Sequence, residues 1–270
     1  LQYVGLNFNT TLCEFNPLAP VVSVPLFHFT LGGYEIAVSN HILMMTVATV
    51  FLLVFMPFAS RHPRLVPRGI NNLIESMCVF IREEVARPML GSHTDQYISF
   101  IWTIFFFILT LNLFALFPSE KIIHLVTGKE NYIGGAATAN IYVTGALAVI
   151  TFLLTHASGI KHQGLKHYFA NFAPHVGFLT PMIYFLELIS AFVRPFALAV
   201  RLFANMVSGH TLLATMLGLI FIFKNWGVAG ASVVMVVLLS VMELFVAFLQ
   251  AYIFTFLSAL YIGSAIAPEH

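Results

Sequence analysis

The chain has 270 residues, of which 59% are hydrophobic and 9% charged, and its formal net charge is +1. A mean hydropathy of +0.91 excludes an ordinary water-soluble domain, and the near-neutral charge gives no reason to expect nucleic acid as a partner. Several apolar runs reach the roughly 20 residues a helix needs to cross a bilayer, so the expected class is an all-α, polytopic membrane protein with about five membrane-inserted helices.

Residues 1–38 are mixed in character, carry Pro17, Pro20, Pro25 and Gly32-Gly33, and read as an irregular segment on the membrane surface. Asn9-Thr10-Thr11 fits a glycosylation triplet, a pattern that arises often by chance. Residues 39–270 read as one integral membrane domain. His41 to about Ala59 is a first spanning helix, followed by the most basic short loop of the chain, Arg61-His62-Pro63-Arg64-Leu65-Val66-Pro67-Arg68. The positive-inside rule puts this loop on the cytoplasmic or matrix side and the amino terminus outside.

Residues 69–88 are amphipathic: Ile70, Leu73, Ile74, Met77, Ile81 and Val85 form one face, with Asn71, Glu75, Arg82 and Glu83 mostly off it. This predicts a helix lying at the inner membrane surface, or one packed on a partner subunit. Ser99 to about Phe117 spans outward and carries Asn112. Residues 118–137 form an outer loop in which Glu120, Lys121, Lys129 and Glu130 cancel. Thr138 to about His156 returns inward with Asn140 and Thr144, and Lys161, His162, Lys166 and His167 form a second basic inner loop in agreement with the first. Cys13 and Cys78 then lie on opposite sides of the membrane, which rules out a disulfide between them. A chain starting at Leu1 is expected to be a processed product, with any targeting segment outside it.

About Val176 to Phe223 reads as one helix of nearly 50 residues, about 70 Å long, against a hydrocarbon core of about 30 Å. It must tilt, bend or run partly along the membrane, and Pro195 is the expected bend. Beyond Lys224-Asn225-Trp226-Gly227 a last helix, about Val228 to Ile266, is again too long to stand upright. The two form a strongly inclined C-terminal hairpin over about 176–266, with the carboxyl terminus inside.

The hairpin carries residues that lipid disfavours. Glu187, Arg194 and Arg201 recur every seven positions and nearly eclipse on a helix, with Ser190, Asn205 and Ser208 beside them. His210, nine positions beyond Arg201, points to roughly the opposite face and a different environment. The last helix has a second stripe in Ser240, Glu243, Gln250 and Ser258. An ionisable group at membrane depth costs about 2.5–3.5 kcal/mol on insertion scales and marks a pathway by default. Two facing polar stripes suggest a route for ions or protons. There is no internal repeat, no GxxxxGK[ST] phosphate loop and no HExxH or CxxC metal pattern, so any nucleotide chemistry is expected in another chain, and neither cofactor nor metal is expected here.

Three stretches resemble subunit a of the F-type ATP synthases. Asn112-Leu113-Phe114-Ala115-Leu116-Phe117-Pro118 with Ala136-Ala137-Thr138-Ala139-Asn140 is similar to the family's central hairpin. Ala199 to His210, with the run Arg201-Leu202-Phe203-Ala204-Asn205-Met206, is similar to its signature helix, and Glu243 through Gln250-Ala251-Tyr252 to its final helix. The resemblance covers roughly residues 40–266. It implies a stator forming two offset proton half-channels against a rotating c-ring, with the peripheral stalk and other membrane-sector subunits, the lipid bilayer and protons as partners. It implies an essential arginine at Arg201, an outer ionisable pair at His210 and Glu243, and a polar position facing the arginine at Gln250. It further implies an inner carboxylate at Glu187 and outer-path polar positions at Asn112 and Asn140. Some relatives carry a carboxylate where this chain has Ala115. The histidine-first order resembles the mitochondrial or alphaproteobacterial type, so the mitochondrial inner membrane is the expected location and a bacterial plasma membrane the alternative.

A rotary path must let protons reach a ring carboxylate from either side without passing straight through. A guanidinium holds its proton and stays charged, so Arg201 suits an electrostatic divider; lysine loses its proton when buried and lacks the forked donors. The rival is a structural arginine paired with a local carboxylate. Histidine titrates near neutrality, so His210 with Glu243 can pass protons if water reaches them; the rival is a hydrogen-bonded interface pair. A metal on His210 has weak support, its i+4 neighbour being Ala214. Glu187 guides protons inward or pairs with Arg194, although seven positions look too far apart for direct contact on one straight helix. Asn205 and Gln250 fix Arg201 or serve as ordinary interhelical hydrogen bonders. A stand-alone secondary transporter or ion channel is the alternative function, though such proteins often show repeated halves. A structural subunit of a respiratory complex is a third.

Overall fold

The computed structural model describes residues 25–31, 34–59, 69–117, 134–170, 179–223 and 225–266. Cys13, the Asn9 triplet, the basic loop at 61–68 and the outer loop at 118–133 lie outside the described residues.

Residues 25–39 are not irregular. Strands β1 (Pro25–Leu31) and β2 (Tyr34–Ser39) pair antiparallel, with Leu31 opposite Tyr34. The alternation in Tyr34-Glu35-Ile36-Ala37-Val38 is a strand pattern, and Gly32-Gly33 separates the two runs at hairpin spacing.

Five helical stretches are long and apolar enough to cross a membrane. They are built on α1 (Asn40–Ala59), the stretch from Ile70 to Leu116, α5 (Ile141–Gln163), α7 (Thr180–Phe223) and α8 (Trp226–Ile266). The stretch from Ile70 opens as α2 (Ile70–Phe80), widens into a π-helical turn at Ile81–Ala86, continues as α3 (Arg87–Leu90) and re-forms as α4 (Thr94–Leu116). Trp102 Nε1 donates to the Cys78 carbonyl at 3.0 Å one turn before the π-helical segment, tying α2 to α4. The amphipathic helix predicted at 69–88 is thus present but runs on to Leu90, its later residues Ile81, Val85 and Ala86 being fully buried against the spanning helices. The short helix α6 (Leu165–Ala170) follows α5.

The core is a slab of α4, α5, α7 and α8. Ile101, Phe105 and Ile108 of α4 pack with Leu198 and Leu202 of α7 and with Ala251, Phe254 and Ile262 of α8. Two ends of the molecule are well defined. At one, Asn40 Nδ2 donates to the Gly134 carbonyl at 3.2 Å, bringing the start of α1 beside residues 134–139 and the end of α4. At the other, Gln163 Nε2 donates to the Ala265 carbonyl at 2.7 Å, and the rings of His93 and His162 meet with centroids 4.6 Å apart. At 44 and 41 residues, α7 and α8 run about 66 and 62 Å, twice the hydrocarbon thickness. They pair along their length, with Pro195 inside α7.

Candidate functional site

Two polar clusters lie along the α7–α8 hairpin, one towards each end of the molecule, with Arg201 between them.

The first cluster joins α4, α7, α8 and the 3-10 turn Ala137–Ala139. His210 Nε2 stands 4.0 Å from Glu243 Oε1, and both side chains are nearly buried. Among the described residues, neither Glu243 oxygen nor His210 Nε2 makes a hydrogen bond. The pair is therefore placed by packing and not locked by fixed donors, which suits groups that exchange a proton. The placing comes partly from Gly209: a β-carbon there would sit 2.6 Å from Glu243 Oε1, so only glycine lets the carboxylate lie against α7. One turn beyond Glu243, the Ala247 carbonyl accepts from Asn112 Nδ2 at 3.2 Å, and Thr138 Oγ1 donates to Asn112 Oδ1 at 3.0 Å. Asn112 and Thr138 are fully buried. Buried amides and hydroxyls must be paired, and this chain of bonds fixes α4, the 3-10 turn and α8 to one another beside Glu243.

Asn140, to which the resemblance gives a path position, caps a helix. Its side-chain oxygen accepts from the Tyr142 N–H at 2.9 Å, capping the amino end of α5.

The second cluster joins α5, α6, α7 and α8. Arg194 Nη2 lies 2.6 Å from Glu187 Oε1, so the pair judged too distant on one helix is in contact. Seven residues rise about 10.5 Å, and a helix directs a long side chain back toward its amino end, so Arg194 reaches down the face to Glu187. Arg194 also lies 5.6 Å over the Tyr261 ring, a cation–π distance. Nearby, His156 Nδ1 and the Tyr168 hydroxyl are 2.5 Å apart. Burial pushes the Tyr168 phenol up from its ordinary range, against a smaller downward pull from Arg194, so the hydroxyl keeps its proton.

Arg201 belongs to neither cluster. It is exposed, and among the described residues it makes no ion pair and no hydrogen bond, including none to Asn205 or Gln250. The His210–Glu243 and Arg194–Tyr261 contacts bracket it and set its depth, level with Tyr252 to Phe254 on α8. Gln250 is buried within a turn of that level; Asn205 is half-buried. Along α7, Ala197, Ala204 and Ser208 share the exposed face of Arg201, while Leu198, Leu202 and Met206 point inward. The outward face of α8 is Val237, Leu238, Val241, Met242, Leu244, Phe245 and Phe248, all exposed. A lone cation thus looks out through a row of small side chains beside an oily wall.

Sequence reasoning named the charged members of both clusters but missed Gly209, Tyr261 and the His156–Tyr168 contact. The place of Gly209 beside His210 was the available signal, since a glycine inside an apolar helix usually marks a close approach.

Fold and site together define a helical membrane protein with a long C-terminal hairpin that carries a buried acid, a histidine and a separate exposed arginine. The profile of the family described as ATP synthase A chain matches residues 42–263. The chain is 38% identical over 265 residues to ATP synthase subunit a of Chloroherpeton thalassium, covering 95% of this chain and 74% of that one. It is 41% identical over 251 residues to ATP synthase subunit a of an Anaeromyxobacter species, covering 91% of this chain and 58% of that longer protein. It is 37% identical over 268 residues to ATP synthase subunit a 2 of Prosthecochloris aestuarii, covering 97% and 78%. The chain belongs to the ATP synthase A chain family. These relatives are bacterial and lend no support to the mitochondrial or alphaproteobacterial type expected from the order of His210 and Glu243.

Proposed function

We infer that this chain is the proton-translocating stator subunit of a rotary ATP synthase membrane sector. It stands beside a ring of small hairpin subunits that carry carboxylates past Arg201, with the peripheral stalk and other membrane-sector chains holding it still. The observation that supports this best is the outward-facing Arg201, unpaired among the described residues, between two polar clusters. A cation committed to its own chain would be paired, as Arg194 is. A cation that serves a passing acid must be free and turned to the flank where that acid arrives.

The two clusters then take the two half-channels. His210 and Glu243, with Asn112 and Thr138 holding the helices around them, pass protons on the Asn40 side. Glu187 serves the other side, held by Arg194. Arg201 lies between, about 13.5 Å along α7 from His210 and about 10.5 Å from Arg194, and its fixed positive charge keeps a proton from crossing directly. Gln250, buried at nearly the same depth, and Asn205 keep the surroundings of the guanidinium polar. Asn140 acts on the path only through the start of α5. Catalysis on nucleotide belongs to other chains of the complex.

The relatives favour a bacterial plasma membrane over the mitochondrial alternative. The basic stretches place the Ile266 end and the carboxyl terminus in the cytoplasm and the Asn40 end outside. A stand-alone transporter is disfavoured by membership of the family.

The experiment is Arg201→Ala in the purified, reconstituted complex. Coupled ATP synthesis is expected to disappear and passive proton leak through the membrane sector to rise. Full coupling without leak would reject the assignment.

A further inference from the structure

The outer path proposed above begins at Thr138 and Asn112, but a buried titratable group lies beyond them towards the Asn40 end. His41 is 1% exposed, and among the described residues neither of its ring nitrogens has a hydrogen-bond partner. An imidazole always presents at least one N–H and, when neutral, one lone pair. Burying both without protein partners is unfavourable, and buried polar groups of this kind are normally paired or meet ordered water.

The face of α1 that carries this ring is turned toward α4 and the 3-10 turn. His41, Met44 and Ala48 share one face of α1, and they are three of its five buried residues. Met44 and Ala48 pack on Leu111 and Ala137. Leu111 adjoins Asn112 in sequence and Ala137 adjoins Thr138, the two residues joined beside Glu243. The rest of α1 is largely exposed apolar surface, including Val47, Val50, Leu53 and Val54. Asn40, next to His41, holds this end of α1 against Gly134 and also takes a hydrogen bond from the His41 backbone N–H at 3.0 Å. The neighbour of His41 is thus spent on structure while its own ring is not. At Ala115 this chain has a methyl group, so α4 supplies no acid at that position.

The geometry points to His41 as the intake relay of the outer half-channel: a histidine that receives protons from the Asn40 side and passes them, through water, towards Thr138, Asn112 and the Glu243–His210 pair. The step is a plain proton shuttle. One ring nitrogen takes a proton from the outer side as the other releases one inward; this leaves the neutral ring in its other tautomer, and a ring flip restores the starting one. The inference rests on the stator reading above.

The test uses the whole ATP synthase complex in liposomes, driven by an acid–base jump. His41→Leu keeps the volume without the titrating nitrogens, His41→Gln keeps hydrogen bonding without titration, and His41→Glu restores a titrating group. Complex recovered at wild-type yield, with ATP synthesis cut at least about tenfold in the Leu and Gln variants and largely regained in the Glu variant, supports the relay. Synthesis above about half of wild type in either the Leu or the Gln variant overturns it. Should those variants fail to assemble, His41→Cys in a Cys13→Ser, Cys78→Ser background reads water access directly. Block of synthesis by silver ions added on the Asn40 side is expected, and insensitivity overturns the proposal. Arg201→Ala, run in parallel, separates the two levels. If it remains fully coupled, the stator assignment fails; if it uncouples while His41→Leu is normal, only the intake role of His41 fails.

Discussion

Gly209 and Glu243 touch across the α7–α8 interface so closely that the carboxylate occupies the space a side chain would need, Oε1 lying 2.6 Å from where a β-carbon would be. The atom in the way is the far end of a flexible side chain. Gly209→Ala is therefore expected to fold, to push the carboxylate off its position near His210, and to slow proton translocation more than it lowers stability. Shortening the acid should relieve the clash, so Gly209→Ala with Glu243→Asp is expected to translocate faster than Gly209→Ala alone. Proton pumping by the four members of this double-mutant cycle, with independent effects as the contrary result, decides it.

Gly263 meets a harder obstacle. A β-carbon there would run into the Met89 carbonyl, and Met89 sits in the short helix α3 with no freedom to rotate away. Gly263→Ala is expected to cost about 1–3 kcal/mol through overpacking and to lower the thermal midpoint of the complex, while Gly230→Ala, where nothing lies within 4 Å, does not. Equal midpoints for the two variants would count against close packing of α8 on α3.

Asn112 donates to Ala247 and accepts from Thr138, both in a fully buried setting. Asn112→Leu leaves the Thr138 hydroxyl and the Ala247 carbonyl without their partner, a loss of about 1–3 kcal/mol. Thr138→Val alone should cost less, because it strands only one atom of the amide. Denaturation of the two variants, read as a ranking, checks the arrangement.

Tyr168 holds its proton because burial raises its phenol above the ordinary range near 10.0. The sign follows directly. This contribution to stability is complete below about pH 10, where unfolded tyrosine is still neutral, and is lost as pH rises towards the higher folded value. Tyr168→Phe removes the hydrogen bond to His156, costing about 0.5–1.5 kcal/mol at neutral pH, and should also remove this part of the alkaline loss. Thermal midpoints of both proteins between neutral and strongly alkaline pH make the comparison.

Much of the architecture was legible because lipid enforces simple rules. Apolar run length locates α1, α4, α5, α7 and α8, although α4 starts earlier, at Thr94, and α5 runs past the expected His156 to Gln163, and the excess length of α7 and α8 needs only the helical rise to be noticed. The charged site residues were legible for the same reason, since Arg201, His210 and Glu243 stand out against oil. What stayed hidden depended on three-dimensional contact. That Glu187 reaches Arg194 follows from side-chain direction, which spacing alone does not carry. That Asn140 caps a helix while Asn112 crosslinks three segments cannot be told from two asparagines in apolar surroundings. The β-hairpin at 25–39 was present as alternation but was overshadowed by its prolines and by the helix that follows.

The small residues flanking Arg201 have one more consequence. Ala197, Ala204 and Ser208 offer nothing long enough to mesh with a neighbour's side chains, so a helix passing this flank meets a smooth track with a single sticky spot. Such a surface behaves as a bearing and not as a gear: lateral sliding costs little anywhere except at the guanidinium. On the stator reading, resistance to a passing helix is then concentrated in charge at that one point.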